Sequence, residues 1–255
     1  MMSERNRLYN LLHTGNPGDA SYYARCCNPE ERVLEIGCGN GRIAKTLCDH
    51  GCLVQGIDND PEMVEAFQTH TASLTPLPAC HLADMRSFAL SHRFDKVIIP
   101  FNGLLCMTSE ADVIRALQRA AAHLEEDGEL IFDMYFVPDN FQNTGEEEES
   151  YIDTTVLDDN GTRIEVYEKT LVGTDPQRFD TSYIFVANPY SSDEKQFEMT
   201  IAQRCIYINQ LPTLLGAASL KMTTLSPDFQ PNAPITEDTE QIVVHARKKD
   251  ANNAE

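Results

Sequence analysis

The sequence VLEIGCGNGRIA, residues 33–44, places three glycines at alternate positions directly after a short apolar run. The run RVLEI (32–36) predicts a buried β-strand, and GRIAKTLCDHG (41–51) places apolar side chains at helical spacing. A glycine-rich turn between a strand and a helix lies at the carboxyl edge of a parallel sheet, where α/β proteins bind ligands. Because glycine has no side chain, the backbone can approach a nucleoside closely there. We therefore expect this turn to border a ligand site.

The spacing of these glycines excludes two common phosphate-binding motifs. The dinucleotide fingerprint G-x-G-x-x-G requires glycine at position 42, where this chain has Arg42. A P-loop requires Gly-Lys-Ser/Thr after the glycines, and no such triplet follows. The turn must therefore serve another kind of ligand.

The hydrophobic pattern divides the chain. From residue 32 to 136, apolar runs alternate with amphipathic stretches, which is typical of a parallel sheet covered by helices. Over residues 146–208 the period changes to two, and Asp159-Asn160-Gly161 indicates a hairpin. We predict a doubly wound α/β fold with a mostly parallel seven-stranded sheet, formed by residues 1–145 and 209–255. A small antiparallel sheet, residues 146–208, is inserted into it.

Composition limits the partners. The 255 residues include 40 acidic and 20 basic side chains, so the net charge of −20 disfavours nucleic acid. No apolar stretch approaches the length of a membrane span and no secretory signal is present, which predicts a cytoplasmic protein without a membrane partner. The eight cysteines form no C-x-x-C pair, so we expect buried thiols and no metal site. A monomer or a homodimer is expected.

Four motifs occur in order along the first half of the chain. They are VLEIGCGNGRIA (33–44), GIDNDPEMVEAF (56–67), LADMRSF (82–88) and FDKVIIPFNGLLCM (94–107). In this order they resemble the motifs of class I S-adenosylmethionine-dependent methyltransferases, of the small-molecule type that includes glycine/sarcosine and amino-sugar N-methyltransferases. The resemblance implies a Rossmann-like fold and S-adenosylmethionine as the cofactor.

The resemblance also assigns roles to residues. It places Asp58 on the ribose hydroxyls, Asp84 on the adenine amine and the Met85 amide on an adenine ring nitrogen. For Arg42, contact with the methionine carboxylate and a position on the helix surface both remain open. The predicted cofactor-binding residues are Glu35, Gly37, Cys38, Gly39, Gly41, Asp58, Asn59, Asp84, Met85, Pro100 and Phe101.

The fourth motif favours a small acceptor. It reads Pro100-Phe101-Asn102-Gly103, whereas nucleic-acid amino-methyltransferases have Asn/Asp-Pro-Pro-Tyr/Phe. By the resemblance, residues 146–208 form a lid over the acceptor site. No His/Asp pair identifies a general base, and an amine requires only a weak one, so in-line methyl transfer to an amine nitrogen is favoured. The candidate catalytic residues are Asn102, Tyr135, Arg204 and Tyr207, and further candidates for acceptor contact are Tyr22, Tyr23 and Tyr183.

Three alternatives remain open at this stage. One is an O-methyltransferase of a small metabolite. Another is an inactive domain that binds S-adenosylmethionine or S-adenosylhomocysteine and serves as a partner subunit. The third is a nicotinamide oxidoreductase, which Arg42 disfavours because it interrupts the dinucleotide fingerprint.

Overall fold

The computed structural model of the chain describes residues 2–138, 148–158, 160–172, 175 and 177–249. The chain divides into two compact units, each formed by two segments. We call residues 15–139 with 206–255 the α/β unit, and residues 1–14 with 140–205 the sheet unit.

Two sheets contain the strands. The seven-stranded sheet of the α/β unit has the order β10-β11-β5-β4-β1-β2-β3, and the four-stranded sheet has the order β6-β7-β8-β9. The strands are β1 (Arg32–Ile36), β2 (Leu53–Asp58), β3 (Ala79–Leu82), β4 (Phe94–Ile99), β5 (Leu124–Tyr135), β6 (Glu148–Leu157), β7 (Arg163–Val172), β8 (Arg178–Ala187), β9 (Lys195–Arg204), β10 (Leu220–Pro227) and β11 (Gln241–Lys248).

The larger sheet is mostly parallel. The pairs β3-β2, β2-β1, β1-β4 and β4-β5 are parallel, whereas β11 is antiparallel to both β5 and β10. The carboxyl ends of β1, β2, β4 and β5 therefore meet at one edge. The predicted fold class is confirmed.

The α-helices begin at local sequence signals. The Asp60 carboxylate caps one helix by accepting the Glu62 amide at 2.8 Å, with Pro61 at the first helical position. Ser109 caps another by accepting the Asp112 amide at 3.1 Å, as its capping pattern predicts. The helices are α1 (Glu4–Leu12), α2 (Asp19–Arg25), α3 (Arg42–Asp49), α4 (Pro61–Thr71), α5 (Glu110–Ala122) and α6 (Leu211–Ala217). No helix in the described ranges is long and apolar enough to cross a membrane.

Both faces of the larger sheet are buried. Alternate residues of β1 belong to different clusters, because successive strand side chains point to opposite faces. Leu34 packs in a cluster with Leu117 of α5 and Leu215 of α6. Val33 packs in a second cluster with Tyr23 of α2 and Leu47 of α3. The sheet is thus covered on both sides, which leaves its carboxyl edge as the place for a site.

The sheet unit consists of the antiparallel strands β6 to β9 and helix α1. In the hairpin between β6 and β7, Gly161 has a φ of +75°, and Asp159 lies outside the described residues. The sequence prediction placed residues 1–14 with the methyltransferase domain, whereas their contacts group them with the sheet unit. Apolar packing accounts for this grouping, because Leu8 of α1 is buried in one cluster with Val166, Phe185 and Met199.

Candidate functional site

The glycine-rich loop after β1 is closed at one glycine and open at two. Gly37, Gly39 and Gly41 have φ values of +71°, +52° and +83°, a region that other L-residues rarely adopt. A Cβ at Gly41 would lie 2.8 Å from the Phe67 ring. A Cβ at Gly39 would meet no described atom within 4 Å, and one at Gly37 would meet only Met85 Cε at 3.9 Å. The first two glycines therefore border open space.

Asp58 holds this loop from the tip of β2. Its Oδ2 accepts the Gly39 amide at 2.8 Å, and its Oδ1 accepts the Asp60 amide at 2.9 Å. Burial raises the pKa of Asp58, and hydrogen bonds from the Asp60, Gly39 and Asn59 amides oppose that shift. Each carboxylate oxygen has a further lone pair, so the group can also accept hydroxyl donors of a ligand.

Glu35, at the end of β1, carries a buried carboxyl oxygen that no described residue hydrogen-bonds. The residue is 2% exposed, and its Oε2 has no hydrogen-bond partner in the described part of the chain. Burial raises the pKa of Glu35 well above its usual value, while Arg42 and a hydrogen bond from the Ala44 amide oppose this shift. A buried acceptor of this kind is costly unless a ligand donates to it.

In the third motif, Met85 lies near the glycine-rich loop, and Asp84 forms an ion pair with Arg86. Arg86 Nε lies 2.9 Å from Asp84 Oδ1, and Arg86 Nη2 lies 2.5 Å from Oδ2. These bonds lower the pKa of Asp84. The predicted contact between Asp84 and adenine therefore has to share the carboxylate with this guanidinium.

The fourth motif ends in a backbone turn held by Asp133 of β5. Phe101 and Asn102 have φ values of +55° and +57°, which is uncommon for residues other than glycine. Asp133, 0% exposed, accepts the Phe101 amide at 2.8 Å and the Asn102 amide at 2.7 Å. The Tyr23 hydroxyl donates to Asp133 Oδ2 at 2.6 Å. Burial raises the pKa of Asp133 to about 6, and these three donors oppose the shift.

Sequence reasoning missed Asp133. The available signal was a single acidic residue inside the apolar run LIFDMYF, residues 130–136. A charge in such a run is buried with the strand, so it must have hydrogen-bond partners.

The structure settles the position of three other residues. Arg42 donates to both carboxylate oxygens of buried Asp19, at 2.8 and 2.6 Å, so α3 is tied to α2. Tyr22 and Tyr23 are 2% and 0% exposed, and the Tyr22 hydroxyl lies 2.8 Å from His245 Nε2. The hydroxyls of both tyrosines are therefore engaged with protein groups inside the α/β unit.

The remaining catalytic candidates are divided between the units. In the α/β unit, Tyr135 at the end of β5 is 38% exposed, and the Tyr207 amide donates to Gln210 Oε1 at 3.1 Å. In the sheet unit, Arg204 lies 2.9 Å from Asp175 Oδ2 and 2.7 Å from Gln177 Oε1. Tyr183, also in the sheet unit, is buried in its apolar cluster. Their catalytic roles stay predictions.

The cysteines are free thiols. Cys38 Sγ in the glycine-rich loop lies 3.4 Å from Cys80 Sγ on β3, and a Cβ at Gly56 would lie 2.6 Å from Cys38 Sγ. Gly56 therefore leaves the room that this thiol occupies. Among the described residues, no group of three or more His, Cys, Asp or Glu side chains could hold a metal ion.

Comparison with known proteins identifies one segment of the α/β unit. Residues 33–128 match the model of the methyltransferase domain family. The chain is 25% identical over 238 residues to dTDP-3-amino-3,6-dideoxy-alpha-D-glucopyranose N,N-dimethyltransferase of Streptomyces fradiae, covering 89% of this chain and 86% of that relative.

Two solved structures share the fold. An S-adenosylmethionine-dependent methyltransferase of Clostridium acetobutylicum superposes with a TM-score of 0.78 at 16% identity, covering 95% of this chain and 97% of that one. The SAM-bound amino pentose methyltransferase CalS10 of Micromonospora echinaspora superposes with a TM-score of 0.71 at 16% identity, covering 96% and 97%.

The geometry fits this cofactor. The backbone at Gly37 and Gly39 leaves space for a ligand, Asp58 offers a carboxylate beside it, and the buried Glu35 Oε2 lacks a donor within the described chain. A nucleoside bearing hydroxyls and an ammonium group would donate to Asp58 as a further donor and to Glu35 Oε2 as the donor that this oxygen lacks in the described chain. Residues 33–128 therefore form a methyltransferase domain, and the site beside their glycine-rich loop fits S-adenosylmethionine.

Proposed function

We propose that this protein transfers a methyl group to the amine nitrogen of a small molecule, and specifically of an amino sugar. The observation that carries the proposal is the relative from Streptomyces fradiae, an amino-sugar N,N-dimethyltransferase whose similarity extends over 89% of this chain. A match of that length includes residues of both units, so it extends beyond the cofactor-binding segment 33–128.

The proposed cofactor site follows the carboxyl edge of the larger sheet. Asp58 accepts the ribose hydroxyls while it holds Gly39, and Glu35 Oε2 accepts a donor from the methionine ammonium. Gly37 and Gly39 leave room for the ligand. The rest of the proposed site consists of Cys38, Gly41, Asn59, Asp84, Met85, Pro100 and Phe101.

The residues of the chain have little bond-making chemistry to perform. S-adenosylmethionine, when bound, supplies a methyl group already activated by a sulfonium. With the cofactor bound, the site would hold the acceptor nitrogen in line with the C–S bond, so that its lone pair would replace sulfur on the methyl carbon and the ammonium proton would pass to solvent. The protein contributes alignment and exclusion of water, and alignment alone lowers such barriers by roughly 7 to 11 kcal/mol.

We place acceptor recognition in the inserted segment, residues 146–208, acting as a lid. Its Arg204 is held by Asp175 and Gln177, so the guanidinium has a defined place at the end of β9. Asn102, Tyr135 and Tyr207 complete the proposed catalytic set. We further propose a cytoplasmic monomer or homodimer that acts without nucleic acid or membrane. The net charge of −20 supports the absence of a nucleic-acid partner, because it repels the phosphate backbone.

A release assay tests the proposal. Purified protein is incubated with S-adenosylmethionine and amino sugars, free and dTDP-linked, with amines, amino acids and hydroxylated metabolites as parallel arms. We expect S-adenosylhomocysteine release with an amino sugar and a mass gain of one or two methyl groups on its nitrogen. Release with hydroxylated compounds alone would instead identify an O-methyltransferase. Calorimetric binding of S-adenosylhomocysteine without release in any arm would identify an inactive binding subunit.

A further inference from the structure

We propose that Asp133 is a positioning residue for methyl transfer. Its carboxylate fixes the turn after β4 so that the side-chain carbonyl of Asn102 accepts an N–H of the acceptor amine. The inference rests on the proposed function in one respect, that the acceptor is an amine. Asp133 lies outside the four sequence motifs, and none of them assigns it this role.

The turn after β4 has an uncommon backbone conformation. Phe101 and Asn102 both have positive φ values, and neither is glycine. Two consecutive residues in this region persist only when their surroundings hold them. Asp133 supplies that hold, because its two carboxylate oxygens accept both of their amides at 2.8 and 2.7 Å. The backbone of the turn therefore depends on one buried carboxylate.

The turn carries a buried side-chain oxygen, Asn102 Oδ1. Asn102 is 3% exposed, and its Oδ1 has no hydrogen-bond partner in the described chain. An unpaired buried carbonyl oxygen points to a ligand that donates a hydrogen bond. A primary or secondary amine has an N–H to donate and a lone pair for the reaction. Accepting the N–H would turn the lone pair away from Asn102, toward the methyl group.

Neighbouring ionisable groups set the pKa of Asp133. The ionisable groups around it are Tyr23 and Asp19 of α2 and Arg42 of α3. Asp19 raises the pKa of Asp133, and the Tyr23 hydrogen bond lowers it. Removing the Tyr23 hydroxyl therefore raises the pH at which Asp133 ionises, without touching either residue of the turn.

The chain offers a matched pair of variants. Tyr23→Phe removes a hydroxyl bonded to Asp133 Oδ2, whereas Tyr22→Phe removes a buried hydroxyl of the same helix that lies 2.8 Å from His245 Nε2. Asn102→Gly removes the carbonyl but tolerates the positive φ of +57°.

The first test needs no acceptor. In protein labelled with ¹⁵N at Phe and Asn, the Phe101 and Asn102 amide resonances are followed from pH 4.5 to 8. We expect both to titrate with a midpoint near the Asp133 pKa of about 6. The midpoint should rise in Tyr23→Phe and stay in place in Tyr22→Phe. Amides that do not titrate, or equal shifts in the two variants, would overturn the role of Asp133.

The second test uses an amino sugar that the wild type methylates. We expect Tyr23→Phe to lower kcat about tenfold and to move the acidic limb of the kcat profile to higher pH, while Tyr22→Phe stays within about twofold. Asn102→Gly should lower kcat/KM for the amine about thirtyfold with the S-adenosylhomocysteine Kd within about twofold. An equal loss of S-adenosylhomocysteine affinity would place Asn102 in the cofactor site and overturn the proposal. If no amine is methylated, the proposed function fails, and the amide titration still decides the role of Asp133.

Discussion

The two loops at the carboxyl edge of the larger sheet adopt positive φ values by different means. The loop after β1 uses Gly37, Gly39 and Gly41, which reach these angles with little cost. The turn after β4 uses Phe101 and Asn102, and needs a buried carboxylate to hold it. The glycine loop thus gains open space for a ligand, whereas the second turn gains side chains at a fixed place.

The largest effect should come from the carboxylate under the second turn. Asp133→Asn replaces one acceptor oxygen by an NH₂ that faces N–H or O–H donors. We expect the free energy of unfolding to fall by about 3 kcal/mol, measured by urea denaturation. Asp58→Asn, which makes the equivalent change under the glycine loop, should cost less because solvent can reach part of that site. An equal or smaller loss for Asp133→Asn would contradict the dependence of the turn on this residue.

The glycines themselves sharpen the contrast. Gly41→Ala combines a φ of +83° with a Cβ 2.8 Å from Phe67, so we expect a loss of about 2 kcal/mol in unfolding free energy. Gly39→Ala adds a Cβ with nothing described within 4 Å, so its loss should be about 1 kcal/mol.

Cofactor affinity should show the reverse order for these two variants. A Cβ at Gly39 occupies the space proposed for the cofactor, so S-adenosylhomocysteine should bind at least about tenfold more weakly to Gly39→Ala than to Gly41→Ala. Calorimetry on the folded fraction of each variant measures this. Equal affinities would remove Gly39 from the site.

Asp58 tests the proposed ribose contact. Asp58→Ala removes an acceptor for two hydroxyls and also the hold on the Gly39 amide. We expect the Kd for S-adenosylhomocysteine to rise about thirtyfold, with NAD showing no binding to either protein. An unchanged calorimetric Kd would contradict the assignment.

The smallest effect should come from Asp84, the half-buried carboxylate of the third motif. Arg86 lowers the pKa of Asp84, so this pair stabilises the fold above the ordinary aspartate pKa and that stabilisation is lost as the pH falls through the lowered value. In Arg86→Ala the carboxyl resonance of Asp84 should titrate at higher pH, with the melting temperature at pH 7 nearly unchanged. A midpoint that does not move would show that the ion pair between Arg86 and Asp84 does not form in solution.

The sequence predicted what depends on local signals. The glycine-rich turn, the Asp60-Pro61 helix start and the Asn160-Gly161 hairpin each depend on a few consecutive residues, and the structure contains all three elements. The order of strands then follows from the motifs of the family.

What depends on distant packing could not be predicted. The Tyr23 bond to Asp133 joins residues from α2 and β5, and no periodicity indicates which tyrosine of the adjacent pair faces the carboxylate. The Arg42 ion pair with Asp19 is of the same kind, since an arginine at the start of a helix is usually exposed. Assignment of α1 to the sheet unit required knowledge of which apolar face it covers.

That assignment of α1 has a consequence for synthesis on the ribosome. Leu8 is made before Phe185, which shares its apolar cluster, and the whole first segment of the α/β unit, residues 15–139, is made between them. At ordinary elongation rates the delay is on the order of ten seconds. During that interval the apolar side chains of α1 lack the partners of their cluster, which makes this segment a target for chaperones.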